Sequence, residues 1–223
     1  MSNILVIIAL LCSANIAPGS QTTRIQGAIE RNVALPYLRD FEPKSIKSND
    51  DLPEKVLALV SDALREKVGD EFASRVRLER GFRIDREELL RQHPDFVTAL
   101  PGLSHYYLVY SFADLSAGIL AYRFLVELDW NGTLKRPIEL PEIARNPTLG
   151  RFVSVENTIA SSDYAAGLKG VGVELAFDQA SGEIVYRYRK LARESGTRLH
   201  FRVYLFSAHD GRLIRMSRET EYR

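Results

Sequence analysis

Two stretches of this chain share one pattern: AYRFLVELDWNGTLKR at residues 121 to 136 and HFRVYLFSAHDGRLIR at residues 200 to 215. They lie 79 positions apart and match without a gap at Arg123/Arg202, Gly132/Gly211, Leu134/Leu213 and Arg136/Arg215. Tyr122/Phe201, Val126/Leu205 and Asn131/Asp210 are conservative pairs. Each stretch is an apolar alternating run, then Asn131-Gly132 or Asp210-Gly211, then a second run. That order marks a hairpin whose glycine takes a positive φ. A chain that repeats such a unit is expected to be a tandem of two similar α+β units.

The surrounding segments agree. Asp51 and Pro53 open an expected helix whose Val56, Leu59, Val60, Ala63, Leu64, Val68 and Phe72 recur at helical steps, with Gly69 near its end. RVRLERGFRI then alternates as a half-buried strand does, and DREELLRQHPDF reads as a short helix with Asp85 and Glu88 at capping-box spacing. HYYLVYSF, ILAYRFLVELDW and TLKRPIEL read as a meander. The proline-rich PEIARNPTLGRF marks a boundary, Ser154 caps a second helix over VENTIASSDYAAGL, and VGVELAFD, EIVYRYRKLA, TRLHFRVYLFSA and RLIRMSRETEY follow as strands. The expected organisation is a lead-in over 20–50, a first unit over 51–141, a linker over 142–153 and a second unit over 154–223.

The amino terminus, MSNILVIIALLCSANIAPGSQ, has an unbroken apolar run from Ile4 to Cys12 followed by small residues. It reads as a signal peptide over 1–19, cleaved after Ala14 or Gly19, and the run is too short to span a bilayer. Cys12 follows Leu11, where a lipoprotein signal wants a small residue, so the expectation is export without lipidation. Cys12 is the only cysteine, so the mature chain holds no disulfide, which suits a bacterial envelope protein, periplasmic or extracellular. Thirty basic against 29 acidic residues leave a net charge of +1, against a general nucleic-acid binder.

The second half carries a family resemblance. Val185-Tyr186, Phe201-Arg202-Val203, Ser207-Ala208-His209-Asp210-Gly211 and Leu213-Ile214 occupy the places of an apolar-Tyr strand, an aromatic-x-apolar strand and an Asp-Gly turn with its return strand. That pattern resembles the PepSY module, over residues 150 to 220, with the first half a diverged copy. Ser207 stands where the family often has an acidic residue. The resemblance implies a helix packed on an antiparallel sheet in each unit (PepSY/cystatin-like), an extracytoplasmic setting, and a role as peptidase inhibitor, folding assistant or binding unit, with no catalytic residues.

The residues themselves point to no reaction. The four histidines, His93, His105, His200 and His209, form no His-Glu-x-x-His helix, and no Gly-x-Ser-x-Gly, P-loop or Gly-x-Gly-x-x-Gly stretch exists. The reading is no catalytic residue, no metal and no cofactor. One surface stands out: if Phe201, Val203 and Leu205 face the helix, alternation turns Arg202, Tyr204 and Phe206 outward, where Arg187 and Arg189 can join them in a cationic and aromatic patch. Such a patch suits an acidic peptide, a polyanionic glycan or a phosphate. The expected function is a non-enzymatic module that engages a protein or peptide partner of the envelope through sheet faces or edges, without nucleic acid and without a membrane span in the mature chain. The alternative is a small-ligand or lipid binder using the hollow between sheet and helix, lined by Tyr106, Tyr110 and Tyr122.

Overall fold

The computed structural model describes residues 41–98, 100–160, 162–168 and 171–222. The expected signal segment with Cys12 and most of the lead-in lie outside the described residues. The fold is α+β with two four-stranded antiparallel sheets. The first half runs β1 (Lys44–Ile46), α1 (Glu54–Ala73), β2 (Arg77–Arg83), α2 (Arg86–Gln92), β3 (Tyr106–Asp114) and β4 (Ile119–Leu128), with sheet order β1-β2-β3-β4. The second half runs α3 (Val155–Ala160), α4 (Ala165–Leu168), β5 (Val173–Asp178), β6 (Glu183–Ser195), β7 (Arg198–Ser207) and β8 (Leu213–Tyr222), with order β5-β6-β7-β8.

The repeated phrases occupy equivalent places. Each is the third strand after its helical segment, β4 in one half and β7 in the other, and each ends at a glycine with φ near that of a left-handed turn, 79° at Gly132 and 77° at Gly211. Asp129 braces the first turn by accepting from the Asn131 and Thr133 amides, and Asp210 braces the second by accepting from the Arg212 amide. Beyond the turns the halves differ. The second phrase returns as the full strand β8, whereas TLKRPIEL makes one bridge, Leu128 to Leu134, and no strand. Pro137 lacks the amide hydrogen that a continuing ladder needs.

Three further expectations are corrected. The first unit starts before residue 51, because β1 pairs with β2. A three-residue strand with one apolar side chain leaves no readable alternation. Asp51 does not cap α1; its carboxylate accepts from the Lys47 and Ser48 amides and closes a 3-10 turn over Asn49–Asp51. The second helix is two short ones, since Ser162 turns its amide and hydroxyl back to the Ile159 carbonyl. Ser154 does cap α3, accepting from the Asn157 amide at 3.2 Å.

One apolar cluster includes α1, both sheets and α3. Val60, Leu64, Val68 and Phe72 of α1 join it with Leu108, Tyr110 and Phe112 of β3 and with Tyr186, Tyr188 and Phe206 of the second sheet. The stretch expected to be a linker is packed between the halves. Ile143 is buried, Lys67 pairs with Glu142 at 2.6 Å, and Phe152 lies 5.4 Å from Phe112 and 5.0 Å from the His209 ring. α1 breaks its helical geometry at Gly69 (φ 76°, ψ 164°) before running on to Ala73, and the Lys67 carbonyl accepts from the Ala144 amide. On the other face of the first sheet a smaller cluster, including Phe82, Ile84, Leu89 and Tyr107, is closed by α2.

Candidate functional site: the two faces of the second sheet

The register of the second sheet separates the residues that alternation alone grouped together. Tyr188 faces Tyr204 and Tyr186 faces Phe206 across β6 and β7, and all four belong to the main core. Arg187 faces Leu205 and Arg189 faces Val203, on the opposite side. Phe201, Val203 and Leu205 therefore face away from the helices, and Tyr204 and Phe206 face toward them. Both stripes of β7 are apolar, so period alone cannot choose between them. The larger aromatic stripe fills the deep core, and Val185, Val203 and Leu205 form a thin second cluster on the outer side.

On that outer side Arg187 and Arg189 are occupied. Arg187 holds both Glu219 carboxylate oxygens, at 2.6 and 2.7 Å, and reaches Glu174 at 3.4 Å. Arg189 lies 2.7 Å from Glu221 and 3.3 Å from Glu219, with its guanidinium 4.1 Å above the Phe201 ring. Arg215 pairs with Asp178 at 2.6 Å. These pairs roof the small cluster and neutralise one another, so the outer face is not a free cationic surface.

Arg202 belongs to the inner face, where the distal part of the sheet runs past the core. Lys190 faces Arg202, and Arg202 faces Arg218, which puts three cations in a row across β6, β7 and β8. The next row is Arg193, His200 and Thr220; the last is Ser195, Arg198 and Tyr222. A register shift between Leu191 and Arg193 turns Arg193 to this face. No carboxylate stands in any of the three rows, which span about 10 by 14 Å at ordinary strand and residue spacings. Lys190, Arg193, Arg198, Arg202 and Arg218 are all exposed, and none forms an ion pair among the described residues. Met216 and Tyr222, 54% and 70% exposed, lie on the same face. Tyr164, 5.3 Å from Tyr204, and Gly167, whose Cβ position lies 3.4 Å from Lys190 Nζ, place the α4 region at the proximal border.

The sequence carries these cations in plain view, yet strand alternation joins only Arg202 of the five to the expected patch. Lys190 and Arg193 join one face only because of the irregularity between them, and Arg218 joins it only through the register of β8. A chain whose net charge is +1 thus places five positive charges in three cross-strand rows that hold no carboxylate.

β8 has a neighbour on one side only. Its ten residues leave an open row of amides and carbonyls beside the cationic rows, the longest such edge among the described strands other than β4, whose end is bridged by Leu134.

A concavity lies between α1 and the first sheet, with a volume of 330 Å³. Leu57, Leu64, Leu78 and Tyr110 floor it, and Asn49 and Arg65 stand among its polar residues. Of the three tyrosines expected to line a hollow, Tyr110 does so, its hydroxyl pushed up to about 12 by burial. Tyr106 and Tyr122 are core residues, and the Tyr122 hydroxyl donates to the Glu139 carbonyl.

The histidines lie in separate surroundings, His93 beside Phe96. His105 stacks on Trp130 at 5.3 Å, with burial and then Arg83 holding it below the ordinary histidine value. His200 Nδ1 is 3.1 Å from Thr220 Oγ1. His209 bridges the Arg151 carbonyl and the Ile184 amide. Among the described residues no three His, Cys, Asp or Glu side chains gather as a metal site would require, and no helix is long and apolar enough to cross a membrane. Compared with family models, curated proteins and solved structures, the chain finds no match.

Proposed function

We propose that this chain is an exported, non-enzymatic binding module of the bacterial envelope, built of two PepSY-like units, that engages a protein or peptide partner by strand addition at β8. The open edge of β8 carries the reading. Main-chain groups on such an edge accept an extended segment with little demand on its sequence, and the exposed distal part of the sheet leaves room for one. An extracytoplasmic peptidase or another envelope protein is the partner class that the PepSY resemblance implies. The experiment is capture from a native envelope extract, comparing the protein with a Thr220→Pro variant. Proline removes one amide and stiffens the edge while Thr220 is exposed. A partner retained by the protein and lost by the variant, with the variant's circular dichroism unchanged, supports strand addition; equal retention by both sinks it.

The concavity at Tyr110 favours a second reading, a small amphipathic ligand held between α1 and the first sheet. Its volume lies at the lower end of the range for small-molecule sites. Native mass spectrometry of the protein purified from its host tests it: a retained small molecule, lost on Leu64→Trp, supports the cleft, and an unliganded mass counts against it.

A further inference from the structure

The edge of β8 and the cationic rows belong to one surface, and together they describe the segment that would bind. A strand added to β8 lays alternate side chains beside Met216, Arg218, Thr220 and Tyr222, the inner-face residues of that edge. Behind Arg218 stand Arg202 and then Lys190, and behind Thr220 and Tyr222 stand His200 with Arg193 and Arg198. The incoming side chains on that face therefore meet cations with no carboxylate among them. On the outer face the same strand meets Arg215, Ser217, Glu219 and Glu221. There Arg215, Glu219 and Glu221 already have intrachain partners.

Resting on the strand-addition reading, we infer that the occupant of β8 is an extended acidic segment of a protein, with Asp or Glu at alternate positions facing the Lys190, Arg202 and Arg218 row. Four of the five cations are arginines, whose forked donors match a carboxylate. None of the five forms an ion pair among the described residues, and Arg198 lies 5.3 Å above the Tyr222 ring, so no ion pair among those residues is broken when an acid arrives. Met216 and Tyr222 flank the row on the same edge and supply apolar contact for the stems of neighbouring side chains. A polyanion such as a nucleic acid would use the charges but leave the open edge unused, and a basic or neutral strand would use the edge but face repulsion or no attraction from the rows. The acidic strand alone uses both.

The test uses fluorescein-labelled nine-residue peptides, one alternating Glu with Thr and one alternating Lys with Thr. Each is titrated into the purified protein by anisotropy, with amide exchange followed along β8. Arg202 and Arg218 are exposed and form no ion pair among the described residues, so the doubly reversed variant, Arg202→Glu with Arg218→Glu, is expected to keep the fold. The expected result is that the acidic peptide binds about tenfold more tightly than the basic one, loses about tenfold in the variant, weakens with added salt, and slows exchange along β8. Equal binding of both peptides with β8 protected overturns the acidic preference and leaves strand addition standing. Acidic-peptide binding that leaves β8 exchange unchanged, or no binding by either peptide, overturns both. Tighter binding of an oligothymidylate than of the acidic peptide assigns the rows to a phosphate polyanion and overturns the proposal.

Discussion

His209 shows how one side chain secures the junction between the halves. Its Nδ1 lies 3.1 Å from the Arg151 carbonyl and its Nε2 accepts from the Ile184 amide at 3.3 Å, so the ring is neutral with its proton on Nδ1. Burial holds its pKa below the ordinary value of 6.5, opposed by the Arg151 contact and by Glu183 and Asp210, with Arg212 acting with burial. Above that value folded and unfolded chains are both neutral at this site and its contribution is complete. As pH falls through about 6.5 the unfolded chain takes the proton first, so stability drops until the lower, folded pKa is reached. Melting temperature should therefore fall more steeply between pH 7.5 and 5.5 in the protein than in His209→Gln, and parallel slopes would refute the assignment. Two buried tyrosines give a second contrast. Tyr186 donates to the Val153 carbonyl at 2.6 Å, whereas the buried Tyr188 hydroxyl has no hydrogen-bond partner among the described residues. Tyr186→Phe should cost about 1 to 2 kcal/mol and Tyr188→Phe should be neutral or stabilising, as read from urea unfolding.

At the scale of elements, most strands followed from alternation and turn chemistry, β1 and the bridge at TLKRPIEL being the exceptions, and the helices partly escaped. The repeat places β4 and β7 because paired apolar runs and an Asn-Gly or Asp-Gly turn are local signals. The break of α1 at Gly69 is not local: the Ala144 amide takes the Lys67 carbonyl, and that partner arrives from more than seventy residues away. Gly69 has φ 76° and ψ 164°, a region essentially reserved for glycine, while Gly118 has φ 75° and ψ 14°, which other residues tolerate better. Neither position is crowded, the nearest atom to a Cβ at Gly69 being the Ala144 Cα at 3.9 Å. Gly69→Ala should therefore cost about 2 to 3 kcal/mol and Gly118→Ala about 1 kcal/mol, from backbone strain alone. Equal losses in thermal melts would mean that α1 re-forms through Gly69 without strain.

Across the whole molecule the two sheets share one apolar cluster, and Phe152 stands between Phe72 and Phe112 on one side and His209 on the other. A continuous core predicts one cooperative unfolding transition for both halves. Phe152→Ala should lower stability by about 2 to 3 kcal/mol, less than a fully buried phenylalanine, and split or broaden the calorimetric transition. A narrow single transition after the substitution would show that other contacts suffice to couple the halves. The α+β class, the repeated strand-turn phrase and the caps at Asp85 and Ser154 were set by the sequence itself, because each depends on residues within a few positions of one another. Tertiary structure decided which stripe of β7 turns inward, because both stripes are apolar and only the volume between sheet and helices selects the aromatic one. It also decided that Arg187 and Arg189 are neutralised while Lys190, Arg193, Arg198, Arg202 and Arg218 gather on one face. That grouping depends on register across three strands and on one irregularity in β6, and pairing between distant segments leaves no periodic trace in any one of them.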